Sequence, residues 1–352
     1  MKPVILPLSI VLVLLLSFRL QGQTKQGQLR HNIRSTIDSI ILKAQYNSLN
    51  GHCVKWDSIK SVMYQKAVHA KTDKDLRPSL EVLLNSLKDH HGKFIDATSH
   101  TPVATFTAWH DLTQRNASES GVRTLPVLNS LNEKFEFRLL DGSIGYLKLV
   151  SISHDADLQK EAEIIRSAID SLDKDELEGW IIDLRYNDGT NLHPIMAGVA
   201  PLLGEGQVGG TVDGKNKIRK LYEIHNGNFY DDQHLVARFP CTKNFRPSKI
   251  AVLVSGYTAS SGEIIAITFK QRKNTRFFGE PTRGITTATN RIRINSSLIM
   301  SISESLYQDR MGNVYTNNIQ PDTFVAFVPS ADPGLDQAIV KASEWLNAND
   351  DQ

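Results

Sequence analysis

Residues 250–286 read IAVLVSGYTASSGEIIAITFKQRKNTRFFGEPTRGIT, and their order decides the fold. Ile250-Ala251-Val252-Leu253-Val254 is a short β-branched run bounded by Ser255 and Gly256, the pattern of a buried strand. Ile264, Ile265, Ile267 and Phe269 predict a helix from Glu263 to about Lys270, and Thr275-Arg276-Phe277-Phe278-Gly279 predicts a second strand. Strand, helix and strand in that order point to a parallel pair with a helical crossover. Between the first strand and the helix stand Thr258-Ala259-Ser260-Ser261-Gly262-Glu263. A hydroxyl there faces unpaired backbone N–H groups and the positive end of the helix dipole. Two readings follow: Ser260 is a helix N-cap, or a nucleophile whose neighbouring N–H groups hold an oxyanion.

A second stretch, GWIIDLRYNDGTNL at 179–192, repeats the design: a buried strand (Trp180-Ile181-Ile182), then Asp183-Leu184-Arg185, then a Gly/Asn-rich turn. Three motifs in order, Ile182 to Thr190, Thr258 to Glu263 and Gly279 to Gly284, resemble the "IlDLRxNxGG", "TASxxE" and "GxxTxG" elements of the S41 serine peptidases. That family comprises the tail-specific and tricorn-type proteases. The resemblance implies a ClpP/crotonase-like spiral of βα units in an α/β core, with Ser260 as nucleophile. It also implies an oxyanion hole formed by the backbone N–H groups of Gly189 and Ser261.

A serine hydroxyl needs a base within hydrogen-bond reach. The tail-specific branch carries a lysine after the glycine of "GxxTxGK"; Ile285 occupies that position here, and Lys270 and Lys273 lie off the motif. The tricorn-like branch uses a histidine in "L-x-D-x-H", which Leu87-Lys88-Asp89-His90-His91 resembles. His91 is therefore the expected general base and His90 its solvent-facing competitor. That branch also has a glutamate before "GIxPD", but Tyr315-Thr316-Asn317-Asn318 offers no acid. Asp309 and Glu304 are the candidate orienting acids, and Asp89 is close to His91 in sequence. The family shows Gly-Gly where this chain has Gly189-Thr190; a positive φ at Thr190 would cost of order 1–3 kcal/mol. Asp183 and Arg185 are expected to brace the turns, and Glu263 to bracket its own helix start.

Working outward, Phe135 to Leu140 and Ile144 to Leu149 predict a hairpin around Asp141-Gly142-Ser143. Ala156 to Leu172 has a helical stripe, a helix is expected near Pro194 to Leu203, and residues 204–248 read as an inserted hairpin or loop bordering the cleft. Asp332 to Leu346 is a terminal helix. Toward the N-terminus, Ile37, Ile40, Ile41 and Ala44, then Leu80, Leu83, Leu84 and Leu87, mark helix faces. The expected organisation is a signal peptide at 1–22, a small all-α N-terminal domain at 30–95, an irregular linker at 96–134 and the peptidase core at 135–347. Forty linker residues are too few for a PDZ domain, so none is expected.

Met1-Lys2 followed by the apolar Val4 to Phe18 has the form of a secretory signal peptide and is short for a membrane span. Secretion or a periplasmic location follows, with no stable membrane anchor after cleavage; an uncleaved anchor is the alternative. The chain has 352 residues and a formal charge of +2, enough for a large core and no reason to expect a nucleic-acid partner. Cys53 and Cys241 could pair. With no CxxC and no His/Cys cluster, neither a metal nor a cofactor is expected. The expected substrate is a peptide or protein. The alternative is an inactive S41-like module binding an apolar small molecule or peptide, as the retinoid-binding modules with this core do.

Overall fold

The computed structural model describes residues 29–106, 134–173, 177–240, 248–328 and 332–348. The expected signal peptide, most of the 96–134 linker and Cys241 lie outside them; Cys53 is exposed. No helix of the described residues is long and apolar enough to cross a membrane.

Three helices come first: α1 (His31–Asn47), α2 (Trp56–Lys66) and α3 (Arg77–Leu87). Each forms because apolar residues recur on one face. In α1 the buried set is Ile33, Ile37, Ile40, Ile41 and Ala44; in α3 it includes Leu80, Leu83, Leu84 and Leu87. α3 begins with Pro78 in its first turn, where no N–H bond is lost, and ends at Lys88 in the left-handed conformation, φ 50°. That turn reverses the chain into β1 (Lys93–Asp96) and β2 (Pro102–Thr105).

The core follows as β3 (Glu136–Leu140), β4 (Ile144–Lys148), α4 (Leu158–Leu172), β5 (Gly179–Asp183) and α5 (His193–Leu203). A meander comes next: β6 (Gly206–Val212), β7 (Ile218–His225), β8 (Asn228–Asp231) and β9 (His234–Leu235). The last part runs β10 (Lys249–Val254), α6 (Ser261–Phe269), β11 (Thr275–Gly279), β12 (Thr287–Arg293), β13 (Leu298–Asp309), β14 (Val314–Tyr315), β15 (Thr323–Phe324) and α7 (Gln337–Asn347).

The strands form two sheets. One has the order β15-β11-β10-β5-β4-β3, parallel throughout except for the antiparallel edge β3. Its central strands are uniformly apolar because helices cover them, as a parallel sheet requires; β5 and the β10 run from Ile250 to Val254 are wholly buried. The second sheet is antiparallel and centres on the 12-residue β13, which pairs with β1, β6, β12 and β14. The fold is thus α/β, with the expected βα succession in its core and no PDZ domain among the described residues.

The N-terminal helices share their core with this second sheet. Ile33, Leu80 and Leu84 pack in one cluster with Phe94 of β1 and with Leu298, Met300 and Ile302 of β13. This lobe is therefore seated on the strand that runs beside the cleft. The stretch read as an inserted loop at 204–248 contains the four-strand meander of this sheet.

Candidate active site

Two turns at the carboxyl ends of β5 and β10 are laced together. Ser255 Oγ donates to the Arg185 carbonyl at 2.9 Å, Thr258 Oγ1 to the Leu184 carbonyl at 2.8 Å, and Ala259 N to the Asn187 carbonyl at 3.0 Å. Arg185 itself points the other way, into a buried ion cluster. It donates to Asp183 at 2.7 and 3.0 Å and to Asp336, the N-cap of α7, at 2.9 Å; Tyr146 OH donates to Asp183 at 2.9 Å. Asp183 and Arg185 thereby tie the site's floor to the C-terminal helix.

Ser260 sits at the N-cap of α6 with φ 50° and ψ −116°, a strained conformation for an L-residue. Glu263 holds it there. This fully buried carboxylate accepts from Ser260 N at 3.1 Å, Ile285 N at 2.7 Å, Gly284 N at 2.7 Å and the Thr282 hydroxyl. Burial pushes its pKa up to about 7 against the pull of those four donors. Beyond capping its own helix, Glu263 thus clamps the Ser260 turn to the 282–285 loop.

His91 leaves the turn after α3 and places Nε2 3.1 Å from Ser260 Oγ. His90 is turned edge-on to Phe106, ring centroids 4.5 Å apart. Burial drives the His91 pKa down to about 4; the Asp89 charge and the bond to the Thr287 carbonyl oppose that shift. The ring is therefore neutral near pH 7.

A hydrogen-bond chain fixes its tautomer. A carboxylate can only accept. Ser303 therefore gives its one hydroxyl proton to Asp89 Oδ1, at 2.7 Å. Thr287 Oγ1 lies 2.8 Å from Ser303 Oγ and must donate to it. That leaves Thr287 Oγ1 accepting from His91 Nδ1 at 3.2 Å, beside the Thr287 carbonyl at 3.0 Å. Both partners of Nδ1 are acceptors, so Nδ1 carries the hydrogen and Nε2 presents its lone pair to Ser260.

The candidate orienting acids are placed elsewhere. Asp309 ends β13 and binds the β13–β14 turn through Met311 N at 2.9 Å, Asn313 N at 3.1 Å and Tyr315 OH at 2.9 Å. Glu304 accepts from Asn290 at 3.0 Å. Thr287 and Ser303, which no motif singled out, are the residues hydrogen-bonded behind the His91 ring, and Asp89 stands behind them. Lys270 also lies apart, donating to the Gln320 carbonyl at 3.1 Å over the Phe277 face.

The expected oxyanion donors flank Ser260. Ser261 is the first residue of α6, so its N–H has no intrahelical partner. Gly189 has φ 125°, and a Cβ there would sit 2.9 Å from Ser260 Cβ. Only glycine fits. Its N–H makes a long bond of 3.2 Å to Asn187 Oδ1. Thr190 does take the positive φ, 80°. Its hydroxyl donates to the Ile152 carbonyl, and its own carbonyl accepts from Ser261 Oγ at 2.5 Å.

Ser260 and His91 open onto a cleft of about 730 Å³ bordered by the β6–β8 meander and by β12 and β13. Among the described residues no group of three or more His, Cys, Asp or Glu side chains converges as a metal site.

The model of peptidase family S41 matches residues 143–325, more than half of the chain. The nisin-resistance protein of Lactococcus lactis subsp. lactis is 31% identical over 178 residues, 51% of this chain and 52% of that protein. A carboxy-terminal-processing protease of Bartonella bacilliformis is 24% identical over 189 residues, 53% of this chain and 39% of that one. The chain thus spans about half or less of the length of these curated relatives. Among solved structures, a lipoprotein from Streptococcus agalactiae superposes with a TM-score of 0.63 at 19% identity, covering 89% of this chain and 95% of that one. The photosystem II D1 C-terminal processing protease gives 0.56 at 13% identity, covering 83% and 93%. These two likenesses are of fold.

Proposed function

The chain belongs to peptidase family S41, and from that premise we propose that it is an exported serine peptidase with Ser260 as nucleophile and His91 as general base. One observation carries the reading: His91 Nε2 lies 3.1 Å from Ser260 Oγ while Nδ1 faces only acceptors. This is the tautomer a base must have before the reaction.

In the proposed mechanism Ser260 Oγ attacks the scissile carbonyl carbon as its proton passes to His91 Nε2. The tetrahedral oxyanion is held by the N–H groups of Ser261 and Gly189, the latter turning from Asn187 Oδ1. The C–N bond then breaks, and the imidazolium gives its proton to the leaving amine. Water, deprotonated by the same ring, releases the acid and restores Ser260. While His91 is charged, the acceptors at Nδ1 stabilise it, and the Asp89 carboxylate acts through Ser303 and Thr287. Among the described residues no acid is hydrogen-bonded to the ring, so the proposed machinery is a dyad braced by a hydroxyl relay rather than a Ser-His-Asp triad.

Export rests on the apolar segment at 4–18, and the similar Streptococcus agalactiae protein, described as a lipoprotein, is in keeping with it. The alternative of an apolar-ligand module is disfavoured by the cleft, whose lining includes Lys93, His154, Asp188, Asp231 and Arg291. A fluorophosphonate probe tests the main reading. The folded chain should be labelled, Ser260→Ala should not be, and His91→Ala should be labelled ~100-fold or more slowly. A folded wild-type chain that never labels would sink it.

A further inference from the structure

The cleft beside Ser260 is lined by side chains from three separate elements: the cations Lys93 on β1 and Arg291 on β12, and the imidazole of His154 between β4 and α4. Register explains two of them. Lys93 and Arg291 both pair with Ser301 of β13, one from each side. Directly opposed residues project to the same face with Cβ atoms roughly 5 Å apart, so these two long side chains stand about 10 Å apart at their bases and lean over the same space. Ser303, which supports Thr287 under His91, lies two residues further along β13. At about 3.4 Å per residue, the cation row is offset roughly 7 Å from the row that holds the base.

Among the described residues no carboxylate pairs with Lys93 or Arg291, and neither forms a hydrogen bond through its side chain. The pKa of Lys93 is lowered by burial and then by the Arg291 charge. That of His154 is lowered by burial, then by Arg291, Lys93 and His193, with only its neighbour Asp155 opposing. The acids of the same cleft are otherwise engaged. Asp188 accepts from Ser151 at 2.5 Å, Glu304 from Asn290 at 3.0 Å, and Asp231 meets His193 at 3.1 Å and Lys220 at 3.2 Å. Asp232 is exposed at the β8–β9 turn. Two adjacent cations that no carboxylate pairs with among the described residues give this end of the cleft a local positive field, which favours an anion there.

We propose that Lys93, Arg291 and His154 form a subsite for a carboxylate of the peptide substrate, roughly two to three extended residues from the scissile bond. The carboxylate is either an acidic side chain or the free C-terminus; both offer the same planar pair of oxygens to a guanidinium and an ammonium. The subsite rests on the peptidase reading and selects among peptides without touching the reacting atoms.

The test uses the full-length Ser260→Ala protein and three labelled peptides of equal length, with binding read by fluorescence anisotropy. One peptide carries an internal glutamate and an amidated end, one is neutral with a free carboxylate, and one is neutral and amidated. One carboxylate peptide should bind roughly ten- to a hundredfold more tightly than the neutral amidated one, the range expected for one charge-assisted contact. Which of the two does so identifies the source. The preference should shrink with salt and vanish in Lys93→Met/Arg291→Met. Arg291→Glu should turn it toward a lysine-bearing peptide, and His154→Gln, a milder change, should weaken it. Equal binding of all three peptides to the intact cleft, or a preference that survives the double substitution, would overturn the subsite. Fluorophosphonate labelling of the wild-type chain separately reports the dyad, so failure of the peptidase reading is distinguishable from failure of the subsite.

Discussion

Acidifying the solution from pH 7.5 to 5.5 should leave the reactivity of Ser260 almost unchanged. His91 acts only when neutral, and burial has moved its pKa from 6.5 to about 4. At pH 5.5 a group with that pKa is about 97% neutral, whereas one at 6.5 would be about 9% neutral, a roughly tenfold difference in reactive enzyme. The assay needs no known substrate: the second-order rate constant for fluorophosphonate inactivation of the free enzyme is measured across pH. It should be flat from about pH 5 upward and fall only near 4. Ile285 lines the cleft beside both members of the dyad. Ile285→Ala should therefore admit water, weaken the desolvation and move the acid limb up toward 6.5. A wild-type limb near 6.5, or an Ile285→Ala profile identical to wild type, would refute the claim that desolvation tunes this base.

Three further outcomes are expected. Gly189→Ala forces a Cβ at φ 125° to within 2.9 Å of Ser260 Cβ, so fluorophosphonate labelling should slow ~100-fold as that oxyanion donor is displaced; labelling at the wild-type rate would remove Gly189 from the oxyanion hole. Arg185→Ala leaves Asp183 and Asp336 buried without their cation, and urea unfolding should show a loss of about 3–5 kcal/mol; a loss under 1 kcal/mol would contradict the buried-pair argument. The third concerns pH and stability. Glu263 has its pKa raised from 4.5 to about 7. The folded chain then binds more protons than the unfolded one between those values, and stability from this group falls as pH rises through that window. His91, with its pKa lowered, acts in the opposite sense between 6.5 and about 4, which masks the effect in the wild type. His90 and His154, also lowered, act in the same sense as His91, so the effect is read as the melting-temperature difference between His91→Ala and His91→Ala/Glu263→Gln, which should fall from pH 4.5 to 7; a difference that rises would mean that the four donors outweigh burial at Glu263.

Local pattern carried much of this protein. The run at Ile250 to Val254 and the stripe Leu80, Leu83, Leu84 and Leu87 are legible because burial repeats with the period of the backbone, and those residues are buried where the period puts them. Ser260 was legible as a hydroxyl between a strand end and a helix start, a position a short stretch specifies. Which groups meet around it was not. His91 and Ser260 are 169 residues apart, His91 and Thr287 are 196 apart, and Asp89 and Ser303 are 214 apart. Thr287 and Ser303 look like ordinary polar residues of alternating strands, while Asp309 suggested itself by proximity to a motif and in fact holds a turn. The cation row across Ser301 exists only because β1 and β12 flank the same residue of β13. The sequence alone determined the elements and the setting of Ser260, because both follow from neighbours along the chain. The tautomer of His91, its lowered pKa and the cation pair of the cleft were decided by strand pairing and desolvation, which arise only when distant segments are brought together.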